Sequence, residues 1–118
     1  MSTVTMLRLP TPPRPEAYDL YRRAQQHLDD QNPRGAVKAL EAMAPDDLFT
    51  PAAQRLLALA LYRFAALGRA RDVAQALVDA DPADAEAAYL LGRTLQRQGE
   101  HVAAGRWLRI AEVLDPAS

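Results

Sequence analysis

The chain has 118 residues, the length of a single domain, with 14 basic and 15 acidic residues and a net charge of −1. This balanced charge excludes a nucleic-acid binder that relies on a strong basic field, and we expect no nucleic-acid partner. The absence of cysteine excludes disulfides, thiolate nucleophiles and cysteine-rich metal sites, and is consistent with a cytoplasmic location.

The N-terminal segment is rich in proline. Four of the nine prolines fall within residues 10–15, where they favour polyproline II geometry and forbid a helix. Residues 1–9 lack the long apolar region of a signal peptide. We predict that residues 1–15 form an extended arm, which is either a disordered tail or a segment that folds back into a groove of its own or a neighbouring copy.

Helical periodicity begins at Glu16, after which apolar residues recur at spacings of three and four, as in Ala17, Leu20 and Ala24. The longest apolar run, residues 56–62, is far shorter than the ~20 residues that span a bilayer, so we expect no membrane partner. The pattern predicts about six helices, at residues 16–31, 33–44, 51–67, 69–80, 84–98 and 100–114.

Several residues mark the predicted helix ends. Asn32, Thr50 and Asp81 each place a capping side chain before a proline, whose missing N–H is no loss in the first turn of a helix. Gly68 and Gly99 stand where a helix ends in a left-handed residue.

The last third of the chain carries a spaced motif. It reads Ala88-x2-Leu91-Gly92-x2-Leu95, then Ala104-x3-Leu108, then Ala111 and Pro116. This motif resembles the tetratricopeptide repeat, a helix–turn–helix unit of about 34 residues written W-x2-L-G-x2-Y…A-x3-F…P. The resemblance implies an all-α protein, a right-handed α-solenoid of three such repeats at about residues 16–50, 51–84 and 85–118.

Two unequal offsets align the earlier repeats with this motif. Aligning Leu57 with Ala88 places Phe64 at the second aromatic position, and aligning Leu20 with Leu57 reaches the first repeat. The offset between the third and second repeats is shorter than the family repeat length, and the offset between the second and first repeats is longer. The mean of the two offsets equals the family repeat length. Pro45 and Pro82 then come early in their repeats. This predicts that the second helices of the first two repeats are about one turn short.

In this family the first helix of each repeat lines a concave groove, so the resemblance implies a protein or peptide partner. On the third repeat the residues predicted to face this groove form a stripe along the helix: Glu86, Tyr89, Arg93, Gln96 and Arg97. The two alignment offsets predict the equivalent stripe in the second repeat as Arg55, Ala58, Tyr62, Ala65 and Ala66, and in the first repeat as Tyr18, Tyr21, Gln25, Leu28 and Asp29.

All four tyrosines fall on this stripe, and tyrosine suits recognition surfaces because it offers an apolar face and a hydroxyl at modest entropy cost. Arg93 and Arg97 lie one turn apart and suit a carboxylate. They replace only part of the lysine and asparagine clamp with which some family members hold a chaperone tail. The alternative is that the tyrosines pack between helices and the arginines are merely solvated.

The final predicted helix has more apolar residues than one packed face uses. Trp107, Ile110 and Leu114 form a stripe that no later repeat covers. Either Trp107 lies over the end of the core, or this stripe mediates self-association, as in a homodimer, or docks a partner.

We find no pattern typical of catalysis. Both serines, Ser2 and Ser118, lie at the chain ends, and His27 and His101 lack metal-ligand spacing. We therefore expect no enzyme activity, metal or cofactor. The predicted function is a protein–protein interaction module, adaptor or co-chaperone-like. The alternatives are a homo-oligomeric structural subunit and an accessory subunit of an enzyme complex.

Overall fold

A computed structural model describes residues 15–116, and all the regular structure in this range is helical. The helices are α1 (Pro15–Asp29), α2 (Pro33–Glu41), α3 (Pro45–Leu48), α4 (Pro51–Arg63), α5 (Leu67–Ala80), α6 (Ala85–Arg97) and α7 (His101–Leu114). The predicted arm lies outside the described residues, except that Pro15 begins α1. No helix within residues 15–116 has the length and apolar character that a membrane span requires.

The helices form three stacked hairpins. Helix α1 packs on α2, α4 on α5, and α6 on α7. Neighbouring hairpins are joined because α4 packs on α2 and α1, and α6 packs on α5 and α4. Two clusters of buried apolar side chains follow, one between the first and second hairpins and one between the second and third. The predicted α-solenoid is confirmed, with the six predicted long helices and one additional short helix, α3.

The turns inside the hairpins repeat at a constant interval. Gln31, Ala65 and Gly99 all have a left-handed backbone, with φ of 61°, 64° and 83°, and they are evenly spaced along the chain. In each turn the next N–H bonds to a carbonyl five residues back, at 2.7–2.9 Å, as in a Schellman motif. The prediction for Gly99 is confirmed. That for Gly68 is wrong, because Gly68 lies in the first turn of α5.

The same interval, the family's repeat length, relates the closely packed positions. Ala24, Ala58 and Gly92 are all buried in the three first helices, and Ala36, Ala70 and Ala104 are all buried in the three second helices. The two unequal offsets are therefore wrong, since both repeats are displaced by the same interval. Phe64 is not a core anchor, because 44% of its surface is exposed and Leu61 is buried instead. Helix α4 misled the alignment because apolar residues occupy most of its circumference.

Only the first repeat has a shortened second helix. Helix α2 has 9 residues and α5 has 14, the same as α7. Pro45 lacks the N–H that would continue α2, and the chain instead forms the one-turn helix α3. The prediction for the second repeat is wrong because Pro82 occupies the place in that repeat that Pro116 occupies in the third, and is therefore not early.

Two of the three predicted caps are confirmed. The side chain of Asn32 accepts a hydrogen bond from Gly35 N (3.0 Å), and that of Thr50 from Ala53 N (3.4 Å). The third prediction is wrong: Asp84, rather than Asp81, caps α6, and its Oδ1 accepts from Ala87 N at 3.0 Å. Asp81 instead accepts from Ala83 N in the loop that precedes this cap.

Candidate protein-binding groove

The first helices of the three hairpins lie side by side, so residues one repeat apart form rows across α1, α4 and α6. A depression of about 270 Å³ has lining residues from all three helices, including Tyr21, Arg55 and Glu86. A second depression of about 540 Å³ continues between α1 and α4 past Gln25, Leu59 and others.

We call this surface the first-helix groove. It comprises Tyr18, Tyr21, Gln25, Leu28 and Asp29 of α1; Ala52, Arg55, Leu59, Tyr62 and Arg63 of α4; and Glu86, Tyr89, Arg93, Gln96 and Arg97 of α6.

The corrected register changes which α4 residues belong to the groove. Ala58 is buried in the core, while Ala65 and Ala66 lie in the turn after α4, so none of them belongs to it. In this register Leu59 and Arg63 are groove residues that the sequence prediction missed. A constant repeat at the family length would have found them.

The exposed tyrosines of the groove are paired with arginines one turn later. Arg22 Nη1 donates to the Tyr18 hydroxyl at 3.0 Å, and Arg93 Nη1 donates to the Tyr89 hydroxyl at 2.9 Å. In both pairs the guanidinium also lies over the ring, at 5.7 and 5.8 Å from the centroid. These contacts follow from the spacing of four along the sequence, which places the two side chains on one helix face.

Tyr62 brings the third repeat onto the second. Arg97 Nη1 donates to the carbonyl oxygen of Tyr62 at 2.9 Å, and its guanidinium lies 4.9 Å from the centre of the Tyr62 ring. Tyr62 also helps to raise the pKa of Arg93. The side chains of Tyr62, Tyr89, Arg93 and Arg97 therefore lie together, and we call these four residues the Tyr–Arg cluster.

Neither cation of the Tyr–Arg cluster forms an ion pair with a described acidic side chain. The ion pairs within residues 15–116 join Arg55 to Asp84 and Glu86, and Arg69 to Glu41. The hydrogen bond to Tyr89, with a further contribution from Tyr62, raises the pKa of Arg93 above its usual value, so this side chain stays charged.

One atom of Arg93 is left without a partner. Its Nε is shielded from solvent and has no hydrogen-bond acceptor among the described residues, which is uncommon for a buried N–H. An anion that reached this point would meet a fixed positive charge and an unused donor.

Two other predicted groove residues have structural contacts. Arg55 donates to Asp84 at 3.0 Å, and because Asp84 caps α6, this ion pair ties α4 to the start of α6. Tyr21 is half-buried against the first core cluster, whereas Tyr18 remains 59% exposed. Gln25 is exposed on the wall of the depression between α1 and α4.

The predicted stripe on α7 is only partly covered. Trp107 is half-buried and packs against the second core cluster, whereas Ile110 and Leu114 are 40% and 38% exposed. Self-association through this stripe remains a prediction.

The histidines do not form a site within residues 15–116. His27 is half-buried, and its Nδ1 lies 3.2 Å from the side-chain amide of Asn32, next to the cap of α2. No group of three His, Cys, Asp or Glu side chains in this range is arranged to hold a metal ion.

Comparisons with known proteins agree with the helical repeat. A family model described as tetratricopeptide repeat matches residues 21–85 and again residues 67–118. Among solved structures, the crystal structure of MamA superposes with a TM-score of 0.76 at 22% sequence identity. The match covers 85% of this chain and 58% of the MamA chain, so this chain spans little more than half of that protein. A search of curated protein sequences found no match.

Proposed function

The chain belongs to the tetratricopeptide repeat family, and we propose that it is an interaction module that binds an acidic segment of a partner protein in its first-helix groove. Repeats of this family generally mediate protein–protein interactions. The proposal adds the location of the contact, the chemistry of the bound segment and an adaptor or co-chaperone-like role.

The observation that carries this proposal is the state of Arg93. Its guanidinium is held by Tyr89, it has no carboxylate partner among the described residues, and its buried Nε has no acceptor there. Arg97 lies one turn further on, and it donates to a backbone carbonyl rather than to a carboxylate. A carboxylate placed between them would accept charge-assisted hydrogen bonds, each contributing about 1.5–3 kcal/mol.

The apolar parts of the groove suit the rest of such a segment. Tyr62 and Tyr89 offer ring faces beside the arginines, and Leu59 continues this apolar surface toward α1. Because residues of all three first helices line the groove, an extended segment along it contacts all three repeats. We therefore propose that acidic and apolar residues both contribute, the first through Arg93 and Arg97 and the second through the tyrosines.

A peptide array tests this proposal. One set carries extended peptides rich in Asp, Glu and Leu, and a matched set has Asn and Gln in place of the acids. We expect the chain to retain the acidic set, and Arg93→Glu to lose it. Arg109→Glu makes the same charge change at an exposed position of α7, and this variant should still retain the acidic set. Equal retention of both sets, or by both variants, would contradict the proposal.

A second candidate function is a structural subunit that assembles through α7. The observation in its favour is the exposure of Val102 (81%) and Val113 (75%), together with that of Ile110 and Leu114. Trp107→Glu should then reduce the particle mass in light scattering without unfolding the chain. A monomeric mass for both forms excludes this candidate.

A further inference from the structure

The two inner grooves of the solenoid are each filled by a helix. Helix α4 packs against the hairpin of α1 and α2, and α6 packs against the hairpin of α4 and α5. Where α6 lies, Ala74, Leu77 and Val78 of α5 are at most 8% exposed. An amphipathic helix is therefore the natural occupant of a groove between a first and a second helix in this chain.

The third hairpin has the same groove, and no helix within residues 15–116 fills it. A cavity of about 750 Å³ lies between α6 and α7, lined by Tyr89, Arg93, Leu108, Ala111 and Glu112 among others. Leu108, Ala111 and Glu112 of α7 are the equivalents, one repeat later, of Ala74, Leu77 and Val78 of α5. The open cavity thus occupies the position in the third repeat that α6 fills in the second.

The other end of the stack differs. In α4 and α6 the residues that face the preceding hairpin are small or apolar, apart from Thr94: Ala53, Leu56, Leu57 and Ala60 in α4, and Ala87, Leu90, Leu91 and Thr94 in α6. The equivalent residues of α1 are all charged or polar and all exposed: Asp19, Arg22, Arg23 and Gln26. This face of α1 is polar and suited to water. It lacks the apolar side chains that fill the inner grooves, which argues against a second copy as the occupant.

We propose that the groove between α6 and α7 binds an amphipathic helix of another protein, in the position that α4 and α6 take in the inner grooves. Its buried face should follow the α4 pattern, with small residues on either side of a Leu-Leu pair. It should also carry Lys or Arg, because Glu112 stands where the inner groove has the buried Val78, and covering this carboxylate without a partner is unfavourable.

This surface goes beyond the proposed function. The acidic segment is extended and depends on Arg97, whereas the helix depends on Leu108, Ala111 and Glu112. The two surfaces share the α6 residues at the edge between them, Glu86, Tyr89, Arg93 and Gln96, so single substitutions away from this edge separate them.

The test uses the full chain, labelled with ¹⁵N, and a peptide with the sequence of residues 84–98, the helix that fills the second inner groove. The control peptide carries Asp at the positions of Leu90 and Leu91. We expect the first peptide, at about 1 mM, to shift the amide signals of Leu108, Ala111 and Glu112, and the control to shift none of them.

The inward face of this peptide, Ala87, Leu90, Leu91 and Thr94, carries no cation to pair with Glu112. Glu112→Val introduces the apolar residue of the inner groove and should therefore tighten binding of the peptide by roughly fivefold or more. Asp72→Val, at an exposed position of α5, should leave binding unchanged. Arg97→Glu should leave this peptide bound while it weakens acidic peptides. Absent shifts, equal shifts from the control peptide, or shifts centred on Tyr18 would overturn the proposal. The proposal would also be overturned if the chain alone formed a dimer and the same α7 amide signals shifted on dimer formation, because a second copy would then fill the groove.

Discussion

Arg97 of α6 and Tyr62 of α4 are joined twice, by a hydrogen bond of 2.9 Å to the backbone carbonyl and by a cation–π contact of 4.9 Å to the ring. The two residues belong to different repeats, so this contact fixes the third repeat against the second at the groove. It also holds the Arg97 charge beside Arg93, where we propose that an acidic segment binds.

The first prediction concerns the Tyr62 ring. Tyr62→Ala removes the ring that lies under the Arg97 guanidinium, so we expect affinity for an acidic peptide to fall by about 1–2 kcal/mol. Titration calorimetry with a peptide from the array measures this. Phe49→Ala is the control, since Phe49 is 71% exposed and lines none of the described depressions. Equal losses for both variants would show that Tyr62 has no specific role.

The second prediction concerns the close approach of α6 and α7 at Gly92. A Cβ at Gly92 would come within 2.8 Å of Leu108 Cγ and 3.1 Å of its backbone N, so Gly92→Ala should lower the free energy of unfolding by about 1–2 kcal/mol. The second repeat has Ala58 and Ala74 at these positions. Adding Leu108→Ala to Gly92→Ala should therefore cost less than the two single losses combined, which urea denaturation tests. Additive losses would contradict the steric account.

The third prediction concerns the left-handed turns. Ala65→Gly should stabilise the chain by about 0.5–1 kcal/mol, because Ala65 has a φ of 64°, and Gly99→Ala should destabilise it by about 1–2 kcal/mol. Gly68→Ala should stabilise by about 0.5 kcal/mol, since Gly68 is helical and its Cβ would meet nothing within 4 Å. Chemical denaturation gives all three signs. A destabilising Gly68→Ala would place the left-handed turn at Gly68 instead.

The fourth prediction separates Asp84 from Asp81. Asp84→Ala removes both the cap of α6 and the ion pair with Arg55, and the Asp84 side chain is only 8% exposed, so we expect a loss of about 2–3 kcal/mol. Asp81→Ala removes one exposed hydrogen bond and should cost about 0.5 kcal/mol. Thermal unfolding of the two variants compares them, and a larger loss for Asp81 would mean that Asp81 caps the helix.

The sequence alone predicted features that depend on a few neighbouring residues. Asn32 and Thr50 each precede a helix that begins with a proline, and each accepts a hydrogen bond from the N–H three positions later. Gly99 was identifiable because a left-handed helix end favours glycine. The third repeat was recognisable because its small residues, Gly92 and Ala104, keep the family spacing.

The tertiary structure decided what depends on contacts between distant residues. Helix α4 has apolar side chains around most of its surface, so its pattern fits more than one register. Only its packing against α1 and α6 buries Ala58 and exposes Phe64. The sequence likewise predicted that all four tyrosines lie on the groove, but it did not predict which arginine would contact which tyrosine. Tyr18 and Tyr89 pair within their own helices, at a spacing that sequence contains, whereas Tyr62 meets Arg97 only because two repeats are stacked.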